Sequence, residues 1–148
     1  MDATPRAAID RVMHLSLLIS SDLSRYEKET GLTASRVHLL WELGLSGPQT
    51  QQRLAAALDV TPRNVTGLVD GLVASGHVTR EPHPTDRRAT LVTPTAAGRA
   101  VIEDNQAGYD DLGRRLFGDL SARRLTELTR VLDATIARFT ALMEEEAT

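Results

Sequence analysis

The sequence predicts a mainly α-helical fold, with a long helix at each end of the chain and shorter helices and a two-stranded β-hairpin between them. Three observations carry this prediction. Apolar residues recur at three- and four-residue intervals over most of 5–76 and 96–146, the spacing of buried helical faces. Thr33, Thr61 and Thr95 stand where such segments begin, as helix N-caps do. Only residues 77–93 change character, to β-branched alternation interrupted by prolines.

From Pro5 to Thr30, Ile9, Val12, Met13, Ser16, Ile19, Leu23 and Tyr26 step round one helix. Leu15, Leu17 and Leu18 widen its apolar stripe, so more than one neighbour is expected. Gly31 ends it, and Thr33 caps a second helix over Ala34–Leu45 that is expected to bury Val37, Leu40, Trp41 and Leu43. SGPQT at 46–50 has turn chemistry. A third, short helix runs from Thr50 to Leu58, with Leu54, Ala55 and Leu58 apolar.

Thr61 and Pro62 open a fourth helix, where proline's missing N–H costs nothing. Val65, Leu68, Val69 and Leu72 form its buried face, Arg63, Asn64, Thr66, Gly67 and Asp70 the opposite one, and Gly76 closes it. Two helices joined by so short a turn, the second showing polar side chains, make a helix-turn-helix or an ordinary αα-hairpin. The residues after Gly76 favour the helix-turn-helix. HVTRE at 77–81 and ATLVT at 89–93 read as strands joined by PHPTDRR, a basic hairpin tip in the position of a wing. Thr95 then caps a helix over Ala96–Phe117, and a last helix from Leu120–Ser121 carries Leu125, Leu128, Val131, Leu132, Ile136, Phe139 and Met143. Long apolar faces at both ends of the chain suggest a homodimer interface, the alternative being a monomeric bundle.

Composition narrows the functions. No cysteine is present, which removes disulfides, thiol redox sensing and thiolate metal sites. No apolar run approaches a membrane span and Met1–Arg11 lacks the pattern of a signal peptide, so a cytoplasmic protein without membrane partners is expected. The net charge of −3 argues against nucleic acid until its distribution is seen: Pro48–Arg99 holds six arginines against four acids. His14, His38, His77 and His83 lack the spacing of a helical metal pair, so no metal is expected. Ser20, Ser21 and Ser24 lack an organised base, and no glycine-rich phosphate loop follows a strand. An enzyme is not expected.

In order along the chain, these segments resemble the MarR-type winged-helix transcriptional regulators. GLTASRVHLLWEL at 31–43 is similar to that family's second helix, and TQQRLAAALDVTPRNVTGLVDGLVASGHVTR at 50–80 to its helix-turn-helix and first wing strand. DRRATLVTPTAAG at 86–98 resembles its Asp-x-Arg wing and the entry to the next helix. Where the family often has arginines in the recognition helix, this chain has Gly67 and Gly71, and Pro94 replaces the usual leucine. The resemblance implies one domain over 1–148, with a winged helix-turn-helix at 31–98 and helical dimerisation regions at 5–30 and 96–146. It also implies a homodimeric repressor or activator on a pseudo-palindromic double-stranded operator, with no cofactor but often a small phenolic or aromatic effector.

Within that reading, Arg63 and Asn64 suit purine edges, with Thr66 next and Thr61 as the cap. Thr50 and Gln51 are expected to position the DNA backbone. Arg88, then Arg87, would enter the minor groove, with Asp86 orienting the wing. His14, Arg25, Tyr26, His38 and Trp41 are the residues the family's arrangement would place near an effector pocket. A winged helix used for protein–protein contact, or a regulator of another winged-helix family, is the alternative.

Overall fold

The computed structural model describes residues 4–146; residues 1–3 and 147–148, the ends of the expected domain, lie outside it. The elements in order are α1 (Pro5–Thr30), α2 (Ala34–Ser46), β1 (Gln49–Thr50), α3 (Gln51–Leu58), α4 (Pro62–Ala74), β2 (Val78–Pro82), β3 (Thr90–Pro94), α5 (Ala96–Phe117) and α6 (Ala122–Glu146). They form two compact units, Met1–Asn105 and Gln106–Thr148. No described helix is long and apolar enough to cross a membrane.

Threonine hydroxyls start five of the helices. Thr4, Thr33, Thr50, Thr61 and Thr95 each accept a hydrogen bond from the backbone N–H three residues on, at 3.1–3.3 Å. Each satisfies one of the donors a helix start leaves orphaned. The turn between α3 and α4 passes through Asp59 in the left-handed region (φ 51°), which a short polar side chain tolerates. Val60 N–H donates to Ala55 O at 3.0 Å, so the reversal is tight.

The core of the first unit lies among α2, α3, α4 and the sheet. Leu39, Leu40, Leu54, Val69, Leu72 and Val92 are completely buried, and Leu32, Leu43, Ala55, Val65, Val78 and Ile102 nearly so. On α2 the buried set differs from the expectation: Leu39 takes the inner position, while Val37 and Trp41 are only half-buried. Leu39, Leu40 and Leu43 are the residues of α2 that reach the core, and the larger indole is left half-buried at its edge.

The sheet has three antiparallel strands in the order β1-β3-β2, rather than the two of a simple hairpin. Gln49 and Thr50, expected in a turn, pair with Val92 and Leu91, while β2 pairs with β3 from Val78–Pro94 to Pro82–Thr90. β1 thus covers the free edge of β3 and delivers the chain directly into α3.

The junction of α4, β2 and α5 is equally close. Gly76 (φ 78°) turns the chain after α4, and His77 N–H donates to Leu72 O at 2.8 Å. Thr95 N–H donates back to His77 O at 3.0 Å, and the Thr95 hydroxyl to Gly76 O at 2.6 Å. Gly98, in the first turn of α5, packs on that same His77 carbonyl, where a Cβ would overlap the oxygen.

The long helices are different. Neither α1 nor α6 buries a residue fully. Leu17, Leu18, Ile136 and Phe139 are each more than half exposed. In the second unit, Gly118 N–H donates to Arg114 O and Leu120 N–H to Phe117 O, and Ser121 accepts from Arg124 N–H at 3.4 Å to start α6.

Candidate nucleic-acid interface

α4 presents its polar face at the surface. Val65, Val69 and Leu72 anchor the other side, and Arg63, Asn64, Thr66, Gly67 and Asp70 are exposed. The Thr61 hydroxyl accepts from Asn64 N–H at 3.1 Å, so its oxygen is committed to the cap. The side chains of Arg63 and Asn64 make no hydrogen bond or ion pair with the described residues. Both project from the first turn, where the helix dipole favours an anion. Guanidinium and carboxamide here keep their full donor and acceptor sets for an outside partner.

Thr66 and Gln51 are already engaged. The Thr66 hydroxyl donates to Pro62 O at 2.9 Å and accepts from Gln51 Nε2 at 3.0 Å. Gln51 Oε1 in turn accepts from Arg80 Nε at 3.1 Å, and Arg80 Nη2 reaches Asp70 Oδ1 at 2.5 Å. The chain of contacts leaves α4 at Thr66, crosses α3 and β2, and returns to α4 at Asp70. Thr50, with its oxygen capping α3 at 3.3 Å, is likewise used internally.

Arg80, with one third of its side chain exposed, is the residue sequence reasoning missed. Its signal was strand parity: Arg80 shares a strand face with buried Val78, an unusual place for a guanidinium without a partner.

The wing is held by its own backbone. Asp86 Oδ1 accepts from the main-chain N–H of Arg88 at 3.0 Å, and Ala89 N–H donates to Asp86 O at 3.1 Å. His83 Nδ1 accepts from the N–H groups of Thr85 and Asp86, at 3.2 and 3.1 Å, which fixes the tip from the inside. Asp86 therefore shapes the turn rather than binding a guanidinium, and the side chains of Arg87 and Arg88 are exposed and unpaired among the described residues. Between the wing and the start of α3 lies an open cleft of about 570 Å³, lined by Gln51, Gln52, Arg80, Arg88 and Thr90 among others. Arg88 is its unpaired cation, since Arg80 is held by Asp70, and Asp86 also lines it.

The residues expected near an effector do not form one small pocket. His14 is exposed and stands about 18 Å along α1 from Tyr26, twelve residues at the helical rise. Arg25 pairs with Asp22 on its own helix, and His38 is exposed. Tyr26 is half-buried against the core, as is Trp41 on α2. Among the described residues no group of three or more His, Asp or Glu side chains could hold a metal ion.

Comparison with known proteins places this geometry. The family model described as MarR family matches residues 32–90. The multiple antibiotic resistance protein MarR of Escherichia coli is 31% identical over 111 residues, covering 74% of this chain and 77% of that protein. Its reduced-form crystal structure superposes with a TM-score of 0.66 at 27% identity, over 91% of this chain and 98% of that one. Streptococcus pneumoniae FabT, solved in complex with DNA, shares the fold at a TM-score of 0.76 and 17% identity, over 90% and 99% of the two chains.

Proposed function

The chain belongs to the MarR family of transcriptional regulators, and from that premise we propose that it binds a pseudo-palindromic DNA operator as a homodimer and represses transcription until a small phenolic or aromatic effector releases it. The observation that carries the DNA reading is the presence of two unpaired sets of polar side chains. Arg63 and Asn64 stand free on a rigidly capped α4, and Arg87 and Arg88 stand free on a braced wing. In this reading α4 is the recognition helix and enters the major groove, where arginine matches guanine and asparagine adenine. Arg88, with Arg87 second, enters the narrower minor groove. Thr50, Gln51 and Thr66 act by holding these readers in place. The exposed apolar faces of α1 and α6 support the homodimer, the helical regions 5–30 and 96–146 supplying the interface around the winged portion 31–98.

Selection from a random duplex pool tests both the DNA and the dimer. Enrichment of an inverted repeat is expected, with log affinity falling against log salt by about 0.9 per phosphate contacted. A protein-docking winged helix would enrich no sequence and show no such slope. Arg63→Ala is expected to relax discrimination between duplexes, and Arg88→Ala to weaken all of them more evenly.

For the effector, Arg25, Tyr26, His38 and Trp41 around the α1–α2 junction, rather than the distant His14, are the proposed contacts. Trp41 is the only tryptophan, so its emission reports on this region. Salicylate is expected to change that emission and to lower operator affinity over the same concentration range. A change in neither would remove the effector from the reading.

A further inference from the structure

We propose that Arg36, which lies outside the helix-turn-helix, is a DNA phosphate contact of this interface, and that residue 71 is glycine in order to admit it. This rests on the DNA reading above and deepens it.

The exposed face of the recognition helix carries two glycines with different surroundings. A Cβ at Gly67 would meet nothing within 4 Å. At Gly71 the same atom would stand 2.7 Å from both Cζ and Nε of Arg36, with Nη2 closer still. The guanidinium of Arg36 therefore lies on the helix backbone, in the space the first carbon of any side chain would fill.

Its stem is well placed to hold it there. Arg36 is in the first turn of α2, its N–H donating to the Thr33 cap at 3.3 Å. It precedes the fully buried Leu39 and Leu40 by three and four residues, on the side of α2 that packs on α4. The anchor is rigid, and the residue as a whole is half-exposed.

The charge, by contrast, is unanswered. Arg36 has no carboxylate or other side-chain partner among the described residues. Asp70, the acid next to Gly71, is bound by Arg80 at 2.5 Å. A guanidinium stays protonated and offers five donors in a planar fork, which fits phosphate oxygens bidentately. Gly71 follows Arg63 by eight residues, about 12 Å along the helix, so the cation flanks the base-reading end rather than joining it. A backbone phosphate at the groove edge is the ligand that position suits.

The test uses full-length protein and an operator duplex obtained by the selection above, with affinity measured across salt concentrations. R36A is expected to bind roughly tenfold more weakly and to lower the salt slope by about 0.9 per protomer. R36K, which keeps the charge and most of the stem, is expected to retain the slope and lose less affinity. G71A is expected to raise the melting temperature, alanine being the better helix former, yet to weaken DNA binding by displacing the guanidinium. In an R36A background G71A should then weaken binding no further. An unchanged slope in R36A, with the parent protein binding normally, overturns this inference alone. So does an equal loss from G71A in both backgrounds. Failure of the parent protein to bind any duplex overturns the DNA reading and this inference with it.

Discussion

Among the described residues, every buried hydrophobic side chain lies between Leu32 and Ile102, whereas α1 and α6, of 26 and 25 residues, bury none. Yet the apolar residues of both regions recur at the same helical spacing. The difference teaches what such a stripe specifies: a face to be covered, without saying by what. In the winged region α2, α3, α4 and the sheet cover one another. On α1 and α6 the stripe remains open, with Leu17, Ile136 and Phe139 each more than 60% exposed. The first region holds its fold within one chain, and the second is where the proposed homodimer has its interface.

Three substitutions would break or sharpen that contrast. Leu54→Ala, at a completely buried position, is expected to cost about 2–5 kcal/mol in denaturant unfolding of the winged region. Loss of less than about 1 kcal/mol would mean that this core is looser than its burial implies. Phe139→Asp on α6 is expected to raise the dimer dissociation constant by roughly a hundredfold, as truncating an interface anchor does. Analytical ultracentrifugation would show monomers, and near-ultraviolet spectra an unchanged winged region. A fully dimeric variant would place the interface elsewhere. The smallest effect is expected at Thr61→Ala, about 1 kcal/mol from the lost cap of α4. Amide exchange should then quicken first at Asn64, and equal quickening along α6 would dissolve the contrast altogether.

Much of the architecture was legible because its signals are local. Pro5 and Thr30 bound α1, and Ala96 and Phe117 bound α5, where caps, prolines and glycines punctuate the chain. β1 escaped because two residues have no period, and their pairing depends on Leu91 and Val92, far along the chain. Trp41 was expected inside from its place on the apolar face of α2, but Leu39, Leu40 and Leu43 fill the core side and leave it half-buried. The site divides the same way. The identity and exposure of Arg63, Asn64 and Arg88 could be read from position on helix or hairpin. The engagement of Thr66 with Gln51, of Asp70 with Arg80, and of Arg36 over Gly71 spans 10 to 35 residues, and no spacing rule encodes it. Side chains committed inside the protein look, in sequence, the same as side chains left free for a ligand.

The loop of bonds from Thr66 through Gln51 and Arg80 to Asp70 ties the recognition helix to the first wing strand. It leaves few relative degrees of freedom between the part aimed at one groove and the part aimed at the other. On the proposed DNA reading, the protein carries a fixed phase between the helix assigned to the major groove and the arginine assigned to the minor groove. DNA must then supply the matching phase through its own twist and groove width, properties that vary with base pairs neither part touches. Sequence preference would thus extend into the spacer between the contacted steps, as a mechanical selection for duplexes already wound to fit.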